Sequence, residues 1–227
     1  MDAEKRFADL WRRLGIKSDP QAPFERLKAR YSEGRHYHNL DHVLEGIGEL
    51  DKVRDQLVHP DLCELAYWYH DVVYDTRRSD NEERSAEFLL RETAGRMSFS
   101  DINYAKLLIR GTEHKYPPFD QDQAYVIDVD LISISKPYKV FREIGERIRK
   151  EYSWVPEPLF KEKRAEIFER FLAQPSIYNT DLFKSKYEAI ARGNLEREIS
   201  YLRGPQLPEL EEALIKTNQE QQREIGG

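Results

Sequence analysis

Histidine and aspartate residues recur in three segments where their side chains could act together. The first segment, residues 35–42, carries His38 and His42 four positions apart. On a helix this spacing puts both imidazoles on one face, one turn apart. The spacing therefore predicts a helix that points two imidazoles into one cavity.

The second and third segments place carboxylates among apolar residues. His70 and Asp71 end a nearly uninterrupted apolar run, and Asp128 and Asp130 lie in an apolar helical segment. Burying a histidine and an aspartate together is costly unless something compensates the negative charge. A divalent cation does so, and imidazole nitrogen with carboxylate oxygen suits Mn, Fe, Co, Ni or Zn, and Mg less well.

Each segment taken separately also has a structural interpretation. A single histidine on an apolar face is usually a hydrogen-bonded core residue, and a His-Asp pair is often a cap or a surface pair. Asp128 and Asp130 could both be solvated, since positions i and i+2 point to nearly opposite sides of a helix. Three such segments on separate apolar helices are harder to explain in this way, and together they favour a metal site.

The elements that must position these residues are predicted to be helices. Apolar residues recur at helical spacing nearly everywhere, whereas strand-like alternation is nearly absent. Prolines mark the breaks, and one long helix is expected over residues 181–202, ended by Gly204 and Pro205. The pattern predicts an all-α fold, a bundle of about ten helices.

Composition narrows the function classes. The 227 residues include 36 Lys+Arg and 42 Asp+Glu, a formal charge of −6 that argues against general nucleic-acid binding. The mean hydropathy of −0.79 and the lack of a long apolar run argue against a membrane protein. The single cysteine, Cys63, cannot form an intramolecular disulfide, and the first fifteen residues lack the apolar core of a signal peptide. A cytoplasmic protein is expected, and a homo-oligomer stays open.

The ordered set of segments resembles the HD superfamily of metal-dependent phosphohydrolases, an all-α fold. It is most similar to a bacterial family described as predicted metal-dependent phosphohydrolases, and the similarity covers most of the chain. The matching blocks are residues 35–42, 70–74, 81–86, 128–131 and 191–195. The resemblance implies one HD-type helical domain over residues 1–227, with a core at about 24–150 and C-terminal helices at 156–222 packed on it.

Residues 37–42 and 130–137 also resemble segments of the cyclic-nucleotide phosphodiesterases. This likeness implies that His38 is the general acid that protonates the leaving oxygen. It implies four metal ligands: His42, His70, Asp71 and Asp130. Asp128 would then support the site from outside or cap its helix. Those enzymes carry a further histidine after the His-Asp pair, and this histidine is absent here. The number of cations, one or two, therefore stays open. If there are two, Asp71 is the ligand best placed to bridge them.

Four residues near these segments are candidates for substrate binding: Arg35, Glu82, His114 and Lys115. Arg35 and Lys115 could hold a phosphate by charge-assisted hydrogen bonds, or they could be solvated surface charges. His114 could contact the substrate, add a metal ligand or act as a cation at a helix C-terminus. Glu82 could serve the site, although residues 79–82 also have the spacing of a helix capping box.

The predicted function is a metal-dependent phosphohydrolase that cleaves a phosphomonoester or phosphodiester of a small molecule, a nucleotide in the first instance. Metal-activated water would attack, with His38 as the general acid. One alternative is a di-iron oxygenase of the HD type. Another is a non-catalytic, metal-bound module that binds a nucleotide or a partner.

Overall fold

The helical periodicity of the sequence corresponds to ten α-helices in the described part of the chain. The computed structural model describes residues 2–204 and contains no strand in that range. The helices are Ala3–Arg13 (α1), Gln21–Arg30 (α2), Leu40–Lys52 (α3), Pro60–Tyr69 (α4), Asn81–Thr93 (α5), Phe99–Gly111 (α6), Gln121–Asp130 (α7), Tyr138–Glu151 (α8), Glu157–Ala173 (α9) and Asp181–Arg203 (α10), with short 3₁₀ helices at Arg54–Gln56 and Leu131–Ser135. The predicted all-α fold is confirmed. No helix of residues 2–204 is both long and apolar enough to cross a bilayer.

Helix α4 lies at the centre of the fold. From Leu62 to Tyr69 every residue is buried, so the helix has no polar face to present to solvent. Helices α1, α3, α5, α6 and α7 all pack against it. The two residues that follow α4, His70 and Asp71, are also buried, so they lie in the interior of the molecule.

Helix α3 begins later than the histidine spacing predicts. Asn39 adopts an extended conformation, and its side-chain oxygen accepts hydrogen bonds from the backbone N–H groups of Asp41 and His42 at 3.0 and 3.2 Å. This cap fixes the helix start at Leu40. His38 therefore precedes the helix, and the prediction that it shares a helical face with His42 is wrong. The two rings still approach, with centroids 5.9 Å apart.

The C-terminal helices complete the described part of the chain. Thr180 caps α10 by accepting from the Phe183 N–H, and α10 ends at Arg203, where Gly204 takes a φ of +70°. The helix predicted over residues 181–202 is confirmed. Helices α9 and α10 pack on each other, and α10 also packs on the 3₁₀ helix after α7. Residues 205–222 of the predicted C-terminal helices lie outside the described residues, and the single-domain organisation stays a prediction.

Candidate metal centre

The four predicted ligands converge on one point, although they come from different elements. His42 lies in α3, His70 and Asp71 follow α4, and Asp130 ends α7. Ligand atoms of His42, His70 and Asp71 all lie within 4.8 Å of one another. Asp130 Oδ1 lies 3.7 Å from His42 Nε2 and 3.4 Å from His70 Nε2. The fold thus gathers two imidazoles and two carboxylates around one small space.

The tautomer of His70 follows from its hydrogen bond to the end of α4. Its Nδ1 lies 2.8 Å from the carbonyl oxygen of Tyr67. Because a carbonyl only accepts, Nδ1 must carry the hydrogen. In the neutral ring the other nitrogen, Nε2, presents its lone pair to the cluster, so a metal ion that binds there would take the place of a proton. This is the arrangement in which histidine binds a metal ion, with the outer nitrogen held by a backbone carbonyl.

The cluster brings together ring nitrogens and carboxylate oxygens that can accept a proton or bind a cation. His70 Nε2 lies 3.3 Å from His42 Nε2 and 3.1 Å from Asp71 Oδ2. Burial lowers the pKa of His70, but the charges of Asp71 and Asp130 outweigh burial and hold that pKa well above its ordinary value. The space attracts positive charge, and the nitrogen and oxygen donors that face it fit a divalent metal ion.

The two carboxylates of the centre are held in their ionised form. Burial raises the pKa of Asp71, but the charge and hydrogen bond of His70 lower it below the ordinary value. Burial likewise raises the pKa of Asp130, but the hydrogen bond of His114 and the nearby imidazoles of His42 and His70 outweigh burial and hold that pKa well below its ordinary value. Both groups are therefore available as anionic ligands.

His114 contacts the centre through Asp130. Its Nε2 lies 2.9 Å from Asp130 Oδ2, which directs the other oxygen, Oδ1, towards His42 and His70. His114 has a φ of +53°, a left-handed conformation that is unusual for a residue with a side chain. Its Nδ1 is buried and has no hydrogen-bond partner among the described residues. Strain of this kind persists where surrounding structure imposes it, often at functional sites.

His38 lies beside the centre and is held by a residue that the sequence did not single out. Its Nδ1 lies 2.6 Å from Oε2 of Glu151, the last residue of α8. The His38 ring stacks on Tyr74 with centroids 4.1 Å apart. Glu151 Oε1 also accepts hydrogen bonds from the backbone N–H groups of residues 36, 37 and 38, with N–O distances of 2.7–3.0 Å. One carboxylate therefore fixes both the ring and the backbone of His38.

Glu151 is ionised despite being enclosed. Its side chain is 2% exposed. Burial raises its pKa, but the hydrogen bond and charge of His38 and the backbone N–H donors bring that pKa below its ordinary value. Nothing in the local sequence marks Glu151, since it is one of several charged residues near the end of an amphipathic helix.

Arg35 and Lys115, two of the predicted substrate-binding residues, differ in their surroundings. Arg35 Nη1 donates to the carbonyl oxygens of His38 and Asp71 at 2.8 and 3.0 Å, so the guanidinium ties together the two segments that carry them. Lys115 is exposed and pairs with Glu113 at 3.0 Å. Their role in substrate binding stays a prediction.

Glu82 lies in the first turn of α5 without the predicted capping box. The predicted box needs Ser79 as the N-cap residue, but the N-cap residue is Asp80, and its side chain makes no capping hydrogen bond. The capping-box interpretation is therefore wrong. Burial raises the pKa of Glu82, and the charges of Asp71 and Glu113 raise it further. Glu82 is thus an acidic side chain whose pKa is raised by the charge of Asp71, one of the four predicted ligands.

Asp128 points away from the centre. Its two oxygens accept four hydrogen bonds of 2.7–3.0 Å from the backbone and side chains of Asn179 and Thr180. The resemblance had implied that Asp128 supports the ligands or caps its helix, and it does neither. Its carboxylate instead anchors the segment that leads into α10.

Comparison of the chain with protein-family models, with curated proteins and with solved structures finds no match. The family resemblance stays a prediction.

Proposed function

We propose that this chain is a metal-dependent phosphohydrolase acting on a phosphate ester of a small molecule. The observation that carries the proposal is the convergence of His42, His70, Asp71 and Asp130, with Asp130 Oδ1 within 3.7 Å of both imidazoles. These four residues would hold one divalent cation. Such a cation lowers the pKa of bound water and offsets charge on phosphoryl oxygens.

His38 supplies the proton that the leaving oxygen needs. Glu151 accepts a hydrogen bond from Nδ1 of His38, so Nε2 is the nitrogen that remains to donate a proton to a substrate. Stacking on Tyr74 fixes the plane of the ring. The 5.9 Å between the ring centroids of His38 and His42 puts this proton donor next to the ligands.

The substrate class follows from the surroundings and from the resemblance. Lys115 is an exposed cation that follows His114 in the chain and pairs with Glu113, and we propose that it contacts the phosphate of the substrate. Arg35 uses its Nη1 on backbone carbonyls, so we assign it to positioning His38 and Asp71. The preference for a nucleotide derives from the sequence resemblance.

The test combines metal content with turnover. The purified chain, supplied with Mn, Co, Ni, Zn or Mg, is assayed on an aryl phosphate and on a panel of nucleotides. His38→Ala should bind metal normally and lose about 10²–10⁴-fold in turnover. His70→Ala should lose both metal and turnover. His36→Ala is the matched control, because His36 is exposed and adjacent to the site in sequence.

Three results would count against the proposal. Absence of turnover with every metal and substrate contradicts hydrolysis, and unchanged turnover in His38→Ala removes its role as the acid. Two bound irons with consumption of dioxygen would favour an oxygenase instead. Tight nucleotide binding without hydrolysis would favour a binding module.

A further inference from the structure

A second charged pocket lies between α8, α9 and α10. It has a volume of about 200 Å³ and shares no residue with the metal centre. Four basic residues line it: Arg142, Arg149, Lys161 and Arg164. Three acidic residues also line it: Glu146, Glu157 and Glu198. Which of these charges are already neutralised decides what the pocket can bind.

Two of the basic residues are paired with two of the acids. Arg142 Nη1 lies 2.9 Å from Glu198 Oε1, and Lys161 Nζ lies 2.8 Å from Glu157 Oε1. Glu146 is exposed to solvent but also lines the pocket, so one of the three carboxylates keeps its negative charge there. The carboxylates of Glu198 and Glu157 are therefore already engaged.

The guanidinium of Arg149 is bound by backbone carbonyls and not by a carboxylate. Its guanidinium donates to the carbonyl oxygens of Tyr152 and Val155 at 2.5 and 2.9 Å and lies over the Phe160 ring, 4.8 Å from its centroid. Carbonyl groups orient a guanidinium but do not neutralise it. Arg149 thus contributes a fixed positive charge to the wall of the pocket.

Arg164 is the residue that the described part of the chain leaves unpaired. Its Nε is buried and has no hydrogen-bond partner, and the guanidinium lies 4.8 Å from the centroid of the Phe168 ring. Burial lowers its pKa, and the charge of Glu198, already paired with Arg142, opposes that effect. Placing a cation in such surroundings is costly without a compensating anion.

Gly145 of α8 faces this arginine. A Cβ built on Gly145 would lie 3.4 Å from Arg164 Nη2, at the limit of ordinary van der Waals contact. The glycine lies inside helix α8, where glycine weakens a helix relative to alanine. The guanidinium of Arg164 therefore lies beside the backbone of α8 at a residue that has no side chain.

We propose that this pocket binds a small oxyanion of the phosphate type, with Arg164 as the principal contact and Arg149 as the second. A guanidinium offers paired N–H donors that match two oxygens of a phosphate, and an anion here would offset two positive charges that lack a carboxylate partner among residues 2–204. None of the residues that line the pocket is one of the four proposed metal ligands, so phosphate binding here can be tested separately from the proposed hydrolase activity.

The test uses the full chain treated with chelator, so that the metal centre cannot contribute. Calorimetric titration compares inorganic phosphate with acetate at matched ionic strength. Phosphate should bind saturably and more tightly than acetate, and it should raise the Tm. Arg164→Met should weaken phosphate binding by about tenfold or more. Arg170→Met, an exposed arginine on the same helix, is the matched control and should change nothing.

Arg164→Met should remain folded in phosphate-free buffer, because it removes an unpaired charge from a partly buried position. Should it unfold, Arg164→Lys serves in its place; it keeps the charge, loses the paired donors and should bind phosphate more weakly than the native chain. The proposal is overturned by the absence of saturable phosphate binding, by equal binding of acetate, or by undiminished binding in the folded Arg164 variant.

Discussion

At the scale of single residues, hydrogen bonds outside the centre decide what its imidazoles can do. His70 is held through Nδ1 by the Tyr67 carbonyl, and His38 is held through Nδ1 by Glu151. In each ring this leaves Nε2 for chemistry, and in the proposed function this atom is a metal ligand in His70 and a proton donor in His38. The two proposed roles differ because the surroundings of the two rings differ.

His114 should tune the centre without being one of its four ligands. His114→Gly removes the hydrogen bond to Asp130 Oδ2, and glycine accepts the φ of +53° without strain. We expect metal affinity to fall about 10–100-fold, because groups that orient a ligand contribute at that level. Metal titration of the purified variant measures the effect, with His36→Ala as the control. Unchanged affinity would show that Asp130 is held in place without His114.

Glu151 should contribute to stability in a pH-dependent way. Its pKa in the folded chain lies below the ordinary value of 4.5. The stabilisation is therefore present above that value and is lost as the pH falls through the folded pKa. We expect Glu151→Gln to be less stable than the native chain by about 1–3 kcal/mol at pH 7, with the difference shrinking below about pH 4.

Denaturant unfolding at a series of pH values measures this difference. Glu143→Gln, an exposed glutamate on the same helix, is the control and should show no such pH dependence. A constant difference between native chain and Glu151→Gln at every pH would mean that the charge of Glu151 is not what stabilises the fold.

The sequence could indicate the ligands but not the residue that holds His38. The pairing of histidines and aspartates with apolar neighbours is a local pattern, so it marks His42, His70, Asp71 and Asp130. Glu151 lies 113 residues from His38 and is distinguished only by what packs on it. A contact of that kind depends on how α8 docks, which no local pattern contains.

At the scale of elements, periodicity predicts the helices and side-chain caps decide their ends. Apolar spacing identified α10 closely, because Gly204 ends it with a conformation that favours glycine. The start of α3 could not be inferred from the spacing of His38 and His42. Asn39, which lies between them, caps the helix and breaks the shared face.

Gly46 lets α3 approach α4 closely. A Cβ on Gly46 would overlap the ring of Tyr67, which is fully buried and cannot move aside. We expect Gly46→Ala to destabilise the fold by about 1–3 kcal/mol through overpacking. Since α3 carries His42, the variant should also bind metal less tightly. Denaturant unfolding and metal titration measure the two effects.

Gly48 provides the matched control in the same helix. A Cβ there would meet no atom within 4 Å. Gly48→Ala should therefore stabilise the chain by about 0.5–1 kcal/mol, because alanine loses less conformational freedom in a helix than glycine. If both variants lost a similar amount of stability, overlap with Tyr67 would not be the cause of the loss in Gly46→Ala.

At the scale of the whole molecule, the two carboxylates near the C-terminal end of α7, those of Asp128 and Asp130, contact different parts of the structure. Their spacing predicted that Asp128 and Asp130 point in opposite directions, and they do: Asp130 faces the centre and Asp128 holds Asn179 and Thr180. Which carboxylate faces which way could not be derived from the residues. The partners of Asp128 lie 51 and 52 residues further along the chain, and only the folded arrangement shows them.

A bound metal should stabilise the whole molecule, because its ligands join α3, the end of α4 and the end of α7. A ligand that binds only the folded state stabilises it by about 2.7 kcal/mol at 100 times its Kd. We expect a divalent cation to raise the Tm of the native chain, and chelator to reverse the rise. Asp130→Asn should abolish the gain, whereas Asp41→Asn, an exposed aspartate next to His42, should keep it. An equal rise in Asp130→Asn would mean that the ion stabilises the chain from elsewhere, and the four side chains would then not be the metal site.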